Sequence, residues 1–276
     1  MCKIRINDEV LFAEKGELLS DVLIRNGKSI SHPCGGKGTC RKCKVLVDGR
    51  EELSCQYRVT GDVSVSFFMQ SEIYSETGAE VKGEITDNMC LCLDIGTTTL
   101  ALALVSRDTG NIVKVKTATN PQRIFGADVI SRIDYCRKNG IGKLNSVLIT
   151  EINRIIAGLD IQENLDLYVS GNATMLHTFF GVDCSSVGVV PYKPQFLESI
   201  TDNGENIGLK GVKTVISLPS IHSFVGADLV AGMNYIGFPE SEKYNLLVDL
   251  GTNAEIVLYS KESVICTSAA AGPCFE

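Results

Sequence analysis

No apolar run in the sequence approaches the ~20 residues that a membrane-spanning helix requires. The first nine residues, MCKIRINDE, are too charged to begin a secretory signal. Neither half of the chain has the strong positive charge of a nucleic-acid-binding surface, and the formal net charge is −7. We therefore expect a cytoplasmic protein without a membrane or nucleic-acid partner.

The chain has enough apolar residues for a core, with 44% hydrophobic and 21% charged residues among its 276. At roughly 100–200 residues per domain, this length predicts two domains. Residues 71–89 hold five acids against one lysine and lack a long apolar period, which is typical of a solvated linker. We expect one domain over residues 1–70, an acidic linker over 71–89 and a second domain over 90–276.

The first of these domains has the pattern of a small α+β unit. Alternating apolar residues predict a hairpin over residues 3–6 and 10–12. Helical spacing predicts a helix over 17–26, ended by Gly27. Further strands are predicted at 44–47 and 63–67. This order of elements over about 70 residues is compatible with a β-grasp domain.

Strands alternate with helices in the second domain. The predicted strands cover residues 91–95, 100–105, 112–117 and 167–170. The predicted helices cover residues 126–138 and 144–158, and another begins near Ala173. Buried strands with intervening helices predict an α/β domain.

Four of the eleven cysteines crowd into residues 34–55. Cys34, Cys40 and Cys43 have the spacing C-x5-C-x2-C, and Cys55 follows after eleven intervening residues. The spacing is close to the plant-type pattern of [2Fe–2S] ligands. Glycines in the first gap let the backbone bend around a cluster and aim N–H groups at its sulfurs. We predict that these four thiolates hold a [2Fe–2S] cluster; the alternative is a structural four-cysteine zinc site, which more often uses two close pairs.

The other cysteines lack ligand spacing, and the three histidines are scattered. Buried free cysteines are common in proteins. We expect no metal role for the remaining seven, which are Cys2, Cys90, Cys92, Cys136, Cys184, Cys266 and Cys274.

A strand–turn motif occurs twice, 155 residues apart, and each copy follows an apolar strand. The first consists of Asp94, Gly96, Thr97, Thr98 and Thr99, and the second of Asp249, Gly251, Thr252 and Asn253. In each, glycine would permit close approach of a ligand, the following N–H and hydroxyl groups can bond phosphate oxygens, and the aspartate can hold Mg²⁺, usually through water. Two such turns facing across a cleft would clamp the phosphates of a nucleotide; the alternative is a pair of structural β-turns.

The cysteine loop CGGKGTCRKC joined to these two turns resembles the reductive activators of corrinoid-dependent enzymes. The resemblance covers nearly the whole chain. Further matching segments are residues 120–122, 125–133, 170–177, 225–228 and 268–273.

This resemblance implies that the second domain is an α/β domain of the ASKHA type, the actin-like ATPase fold shared by acetate and sugar kinases and heat-shock chaperones. It implies ATP with Mg²⁺ as a second cofactor. ATP would drive electron transfer from the cluster to a corrinoid protein of a methyltransferase system, returning cob(II)alamin to cob(I)alamin. The electron donor to the cluster is unknown. Two matching residues, Asn172 and Asp228, either line the nucleotide cleft or only cap helices.

The chain ends within a matching segment, so we expect an incomplete second lobe and a truncated protein whose ATPase activity requires the missing part. Two alternatives stay open. One is a plain ferredoxin-type electron carrier with a non-catalytic ASKHA remnant. The other is a small-molecule kinase of the ASKHA type, which leaves the cysteine loop unexplained.

Overall fold

A computed structural model describes residues 1–6, 9–28, 30, 36–39, 41, 43–67, 83–161, 163–237, 243–251 and 253–270. Two compact units are present. One combines Met1–Tyr74 with Pro121–Arg132, and the other combines Ser75–Asn120 with Ile133–Glu276. The predicted linker at 71–89 falls largely outside the described residues, so the domain boundaries stay a prediction.

The first unit contains a five-stranded sheet in the order β2-β1-β5-β3-β4. Its strands are β1 Cys2–Ile6, β2 Glu9–Ala13, β3 Lys44–Val47, β4 Arg50–Leu53 and β5 Val63–Phe67. Strands β1 and β5 are parallel, and the other neighbours are antiparallel. The alternating residues of β1 fill the core because successive side chains of a strand point to opposite faces.

One helix, α1 Leu19–Arg25, packs on this sheet through Leu19, Val22 and Leu23. It ends where the sequence predicts, since Gly27 adopts a φ of +72° and donates its N–H to the carbonyl of Ile24 at 3.0 Å. Only glycine adopts such a conformation readily.

The second unit is built on a six-stranded sheet in the order β10-β11-β9-β6-β7-β8. Its strands are β6 Met89–Ile95, β7 Thr99–Ser106, β8 Ile112–Thr119, β9 Leu165–Gly171, β10 Thr201–Asn203 and β11 Val212–Ser217. β6, β7 and β8 form an antiparallel meander, whereas β9 runs parallel to β6 and β11 runs parallel to β9. The carboxyl ends of β6 and β9 therefore lie at one edge, which is where ligands bind in open α/β sheets.

The helices are α2 Val129–Asn139, α3 Gly142–Ala157, α4 Ala173–Phe179, α5 Gly204–Ile207 and α6 Ala227–Ile236. Short 3-10 helices span Pro121–Ile124 and Ser185–Gly188. The apolar face of α3, with Leu148, Ile152 and Ile155 at helical spacing, belongs to the hydrophobic core that also contains the buried residues of β6 and β7. No helix in the described part of the chain has the length and apolar character to cross a membrane.

Helix α2 begins three residues later than predicted. Asp128 precedes it and accepts hydrogen bonds at Oδ1 from the backbone N–H of Ser131 at 2.7 Å and from its hydroxyl at 2.8 Å. The first backbone N–H groups of a helix have no partner within the helix, and the Asp128 side chain accepts one of them. The helix therefore begins directly after Asp128.

A second sheet in the same unit contains β12 Asn245–Leu250, β13 Asn253–Tyr259 and β14 Val264–Ala270 in an antiparallel arrangement. One face of this sheet packs on α6, where Val257 and Tyr259 contact Leu229 and Met233. The contact fixes the turn between β12 and β13 relative to the start of α6, and both contribute to the site described below.

Candidate functional site

A cleft of about 250 Å³ in the second unit brings the two predicted turns together. It is lined by Asp94, Gly96, Thr97, Thr98, Thr99, Asn172, Asp228, Asp249, Gly251, Asn253 and Glu255. These include eight of the nine residues predicted from the paired motifs; the ninth, Thr252, lies outside the described residues. The residues thus share one cleft, and their role in binding a nucleotide stays a prediction.

The first turn joins β6 to β7 and is closed by the Gly96 N–H, which donates to the carbonyl of Thr99 at 2.9 Å. Asn120 braces it from the end of β8. Its Nδ2 donates to the Gly96 carbonyl at 2.8 Å and its backbone N–H to the Thr98 carbonyl at 2.7 Å. Asn120 is fully buried, so the turn is held on a rigid support.

Gly96 tolerates no side chain, because a Cβ atom there would lie 2.6 Å from the Thr99 carbonyl oxygen. We expect Gly96→Ala to destabilise the protein by about 1–3 kcal/mol and to weaken nucleotide binding, since the turn must open. Gly142→Ala is the matched control, because a Cβ at Gly142 meets nothing within 4 Å. Thermal unfolding and calorimetry with MgATP measure both effects; equal behaviour of the two variants would contradict the tight-turn argument.

The second turn joins β12 to β13 and is closed by the Gly251 N–H, which donates to the Asn253 carbonyl at 2.8 Å. Asp249 pairs directly with Glu255 across the two strands. Like charges opposite each other in a sheet are unfavourable, so a cation bound between these two carboxylates would stabilise the pair.

Asn172 both caps a helix and lines the cleft, so the two interpretations of this residue coexist. Its Oδ1 accepts the N–H of Met175 at 3.0 Å at the start of α4, and its Nδ2 donates to Thr97 Oγ1 at 3.2 Å. The loop before α6 packs closely here, because a Cβ at Gly226 would lie 2.5 Å from the Asn172 Cα. This approach places Asp228, the second residue of α6, in the cleft.

Glu255 was not predicted as a site residue. The sequence indicates this residue only indirectly. Side chains alternate between the two faces of a strand, so a hairpin with a short turn after Leu250 places residues 249 and 255 on the same face. Ser170 was also missed; its hydroxyl donates to Asp94 Oδ1 at 3.3 Å. Ser170 begins the matching segment 170–177, whereas no local motif marks Glu255.

Burial and neighbouring carboxylates raise the pKa values of three acidic side chains in the cleft. Asp94 is open to the cleft, but the surrounding walls remove much of its hydration; this burial and the nearby Asp228 carboxylate raise the pKa of Asp94 to about 6. Burial, followed by the charge of Asp249, raises the pKa of Asp228. Burial also raises the pKa of Glu255. None of the described residues lining the cleft is basic, and oxygen ligands arranged in this way suit a hard cation such as Mg²⁺.

The first unit brings two of the four predicted cluster ligands together. Cys43 Sγ and Cys55 Sγ lie 3.2 Å apart and are buried; this distance is too long for the ~2.05 Å bond of a disulfide. The β3–β4 hairpin causes the approach, since the N–H of Ser54 donates to the Cys43 carbonyl at 3.0 Å. Cys34 and Cys40 lie outside the described residues.

The residues around this thiol pair fit an iron–sulfur cluster. Gln56 Nε2 lies 3.6 Å from Cys55 Sγ, and an amide N–H is a donor that cluster sulfurs accept. Gly36 and Gly38 have positive φ angles of 80° and 74°, as a loop that bends tightly requires. Among the described residues no group of three or more metal-ligating side chains forms, which is expected with only two of the four cysteines described.

Family models match almost the whole chain. A 2Fe-2S iron-sulfur cluster binding domain matches residues 2–62, the RACo middle region matches 89–241, and the C-terminal domain of RACo, the ASKHA domain, matches 243–276. Fold and matches together define the class: an N-terminal [2Fe–2S] ferredoxin-type domain followed by an ASKHA-type domain, as predicted. The chain belongs to the RACo family, since the model of its middle region covers more than half of the residues.

The chain is homologous to two curated proteins that act on corrinoids. It is 26% identical to the corrinoid activation enzyme RamQ of Eubacterium limosum, over 98% of this chain and 60% of that protein. It is 28% identical to the [Co(II) methylated amine-specific corrinoid protein] reductase of Methanosarcina barkeri, over 67% of this chain and 37% of that protein.

A solved structure shows the same fold. The reductive activator for a corrinoid, iron–sulfur protein superimposes with a TM-score of 0.65 at 23% identity, over all of this chain and 64% of that one. This chain therefore spans less than two thirds of the length of these relatives.

Proposed function

We propose that this protein is an electron-transfer protein of the ATP-dependent reductive-activator type, which returns cob(II)alamin of a corrinoid methyl-transfer protein to cob(I)alamin. One observation carries the proposal: a single chain joins the Cys43–Cys55 thiol pair to a cleft lined by both Asp-x-Gly turns. The membership in the RACo family and the printed activities of the two curated relatives support it.

The cysteines Cys34, Cys40, Cys43 and Cys55 would hold a [2Fe–2S] cluster, which supplies electrons one at a time, as the reduction of cob(II)alamin requires. The turn at Gly96 and its counterpart at Gly251 would present N–H groups to nucleotide phosphates. Asp94, Asp228 and Asp249 would hold Mg²⁺ through water, and the ion would relieve the repulsion among these carboxylates.

A reducing, cytoplasmic compartment suits this assignment. The eight cysteines that the structure describes are all free thiols, and disulfides are rare in such compartments. The partners in this proposal are a corrinoid protein and a separate reductant that loads the cluster.

The coupling to ATP is expected to need the part of the ASKHA domain that this chain lacks, so the proposal is tested with the chain extended by that part from a relative, after anaerobic reconstitution with iron and sulfide. We expect [2Fe–2S] absorption, binding of MgATP by calorimetry, and reduction of free cob(II)alamin that is faster with MgATP than without it. Reduction at the same rate without nucleotide would contradict the coupling to ATP and favour the plain electron carrier. Absence of a cluster would contradict both assignments.

A further inference from the structure

The side chain of Gln56 joins three groups around the thiol pair. Its Nε2 atom lies 2.7 Å from the Gly36 carbonyl oxygen, 2.9 Å from the Cys55 carbonyl oxygen and 3.6 Å from Cys55 Sγ. Gly36 belongs to the loop that follows the predicted ligand Cys34, whereas Cys55 lies in the turn after β4. One amide therefore links two segments that are 20 residues apart.

The loop is shaped to receive this side chain. Gly38 adopts a φ of +74°, and a Cβ atom there would lie 3.0 Å from Cγ and 3.1 Å from Cδ of Gln56. The methylene part of Gln56 thus lies against the bare backbone of Gly38, and a larger residue would push it away. This contact fixes where the amide points.

The chemistry of the amide determines its effect. A glutamine NH₂ group carries two donor hydrogens and no charge. Donors close to a ligating sulfur stabilise the reduced form of an iron–sulfur cluster, which carries one more negative charge, and so raise its reduction potential. The NH₂ group has two hydrogens for three acceptors, so one N–H is shared between a carbonyl oxygen and Cys55 Sγ. The two carbonyls keep the positive end of the amide dipole beside the sulfur, because an amide that bonds them cannot rotate away.

We propose that Gln56 is a positioning residue that holds the cluster loop against Cys55 and raises the reduction potential of the cluster. The inference rests on the proposed [2Fe–2S] cluster. A higher reduction potential makes the cluster easier to load with an electron. It also weakens the cluster as a donor to cobalt, so more of the driving force for cobalt reduction must come from the nucleotide cleft.

The test compares Gln56→Met with the wild-type protein. Methionine keeps the unbranched shape that lies on Gly38 but has no donor, and Gln56 is exposed, so the core is undisturbed. Asn26→Leu is the matched control, because Asn26 is an exposed amide of the same unit that donates to the Val22 carbonyl at 2.7 Å, outside the cysteine loop. Each reconstituted protein is titrated electrochemically with detection of the reduced cluster by electron paramagnetic resonance.

At the wild-type midpoint potential, we expect the ratio of reduced to oxidised cluster in Gln56→Met to fall roughly three- to tenfold; a tenfold change is 59 mV for one electron. Asn26→Leu should titrate like the wild type. Equal midpoints for the wild type and Gln56→Met would overturn the role of Gln56 while leaving the cluster in place. A wild-type protein that holds no cluster would instead refute the proposed function, and the inference with it.

A second measurement decides the matter if Gln56→Met fails to bind a cluster. The wild-type protein is labelled with ¹⁵N in the glutamine side-chain amide, and pulsed electron paramagnetic resonance is recorded on the reduced cluster. A ¹⁵N coupling supports the contact with Cys55 Sγ, and a spectrum without it contradicts the contact.

Discussion

Cys43→Ala protein is expected to lose its iron and its visible absorption after reconstitution, while Cys2→Ala protein retains both. Cys43 supplies one of the two thiols that lie 3.2 Å apart in the described structure. Alanine has no donor atom for iron, and the remaining three cysteines leave one coordination position without a protein ligand. A [2Fe–2S] cluster held by three thiolates is open to water and is lost readily.

The comparison with Cys2 separates the loss of a ligand from the loss of packing. Both thiols are buried in the same core, Cys43 at 2% and Cys2 at 7% exposure. Each substitution leaves a small cavity and lowers the free energy of unfolding by a similar amount, on the order of 1 kcal/mol. Analysis of iron and sulfide, visible absorption and thermal unfolding are measured on both variants. Stoichiometric iron in Cys43→Ala would contradict its role as a ligand.

The elements that position the cleft were largely predictable from local patterns. The apolar run of β6 ends at Asp94, and the repeat of this pattern at Asp249 identified a second turn. These turns depend on particular residue types, glycine above all, because glycine allows backbone conformations and close approaches that other residues do not. The repeat of the motif was the only basis for predicting that the two turns lie in one cleft. The structure supplies the physical cause, which is the packing of β13 on α6.

Features that depend on long-range pairing were not predictable. Strand β4, Arg50–Leu53, has three charged residues in four and lacks an apolar period, because it lies at the edge of its sheet and is mostly exposed. It forms because β3 offers its unpaired backbone groups. Glu255 entered the cleft through its pairing with Asp249, and Gln56 reached the cysteine loop through a contact across 20 residues.

Asp94→Asn protein is expected to bind MgATP at least tenfold more weakly than the wild type at pH 7.5, and yet to be more stable to heat. The first effect follows because a neutral amide holds hydrated Mg²⁺ less well than a carboxylate. The second follows because the ionised Asp94 is disfavoured by its surroundings and by Asp228, as its raised pKa shows. Binding sites commonly reduce stability in this way.

The dependence of stability on pH tests this explanation. The pKa of Asp94 rises from the ordinary 3.8 to about 6 in the folded protein, so folding favours its protonated form. Its contribution to stability is therefore full below pH 4, declines as the pH rises, and is lost above about pH 6. The excess stability of Asp94→Asn should appear in thermal unfolding at pH 7.5 and vanish near pH 4.

Binding of MgATP should change in the opposite sense with pH. The wild-type affinity is expected to fall as the pH drops below about 6, because a proton then competes with Mg²⁺ for Asp94. ATP itself titrates in this range, but Asp94→Asn experiences the same change in ligand, so the difference between the two proteins isolates Asp94. Asp108→Asn removes one charge at an exposed position outside the cleft and should bind as the wild type does. Wild-type affinity of Asp94→Asn for MgATP at pH 7.5 would show that Asp94 does not hold the ion.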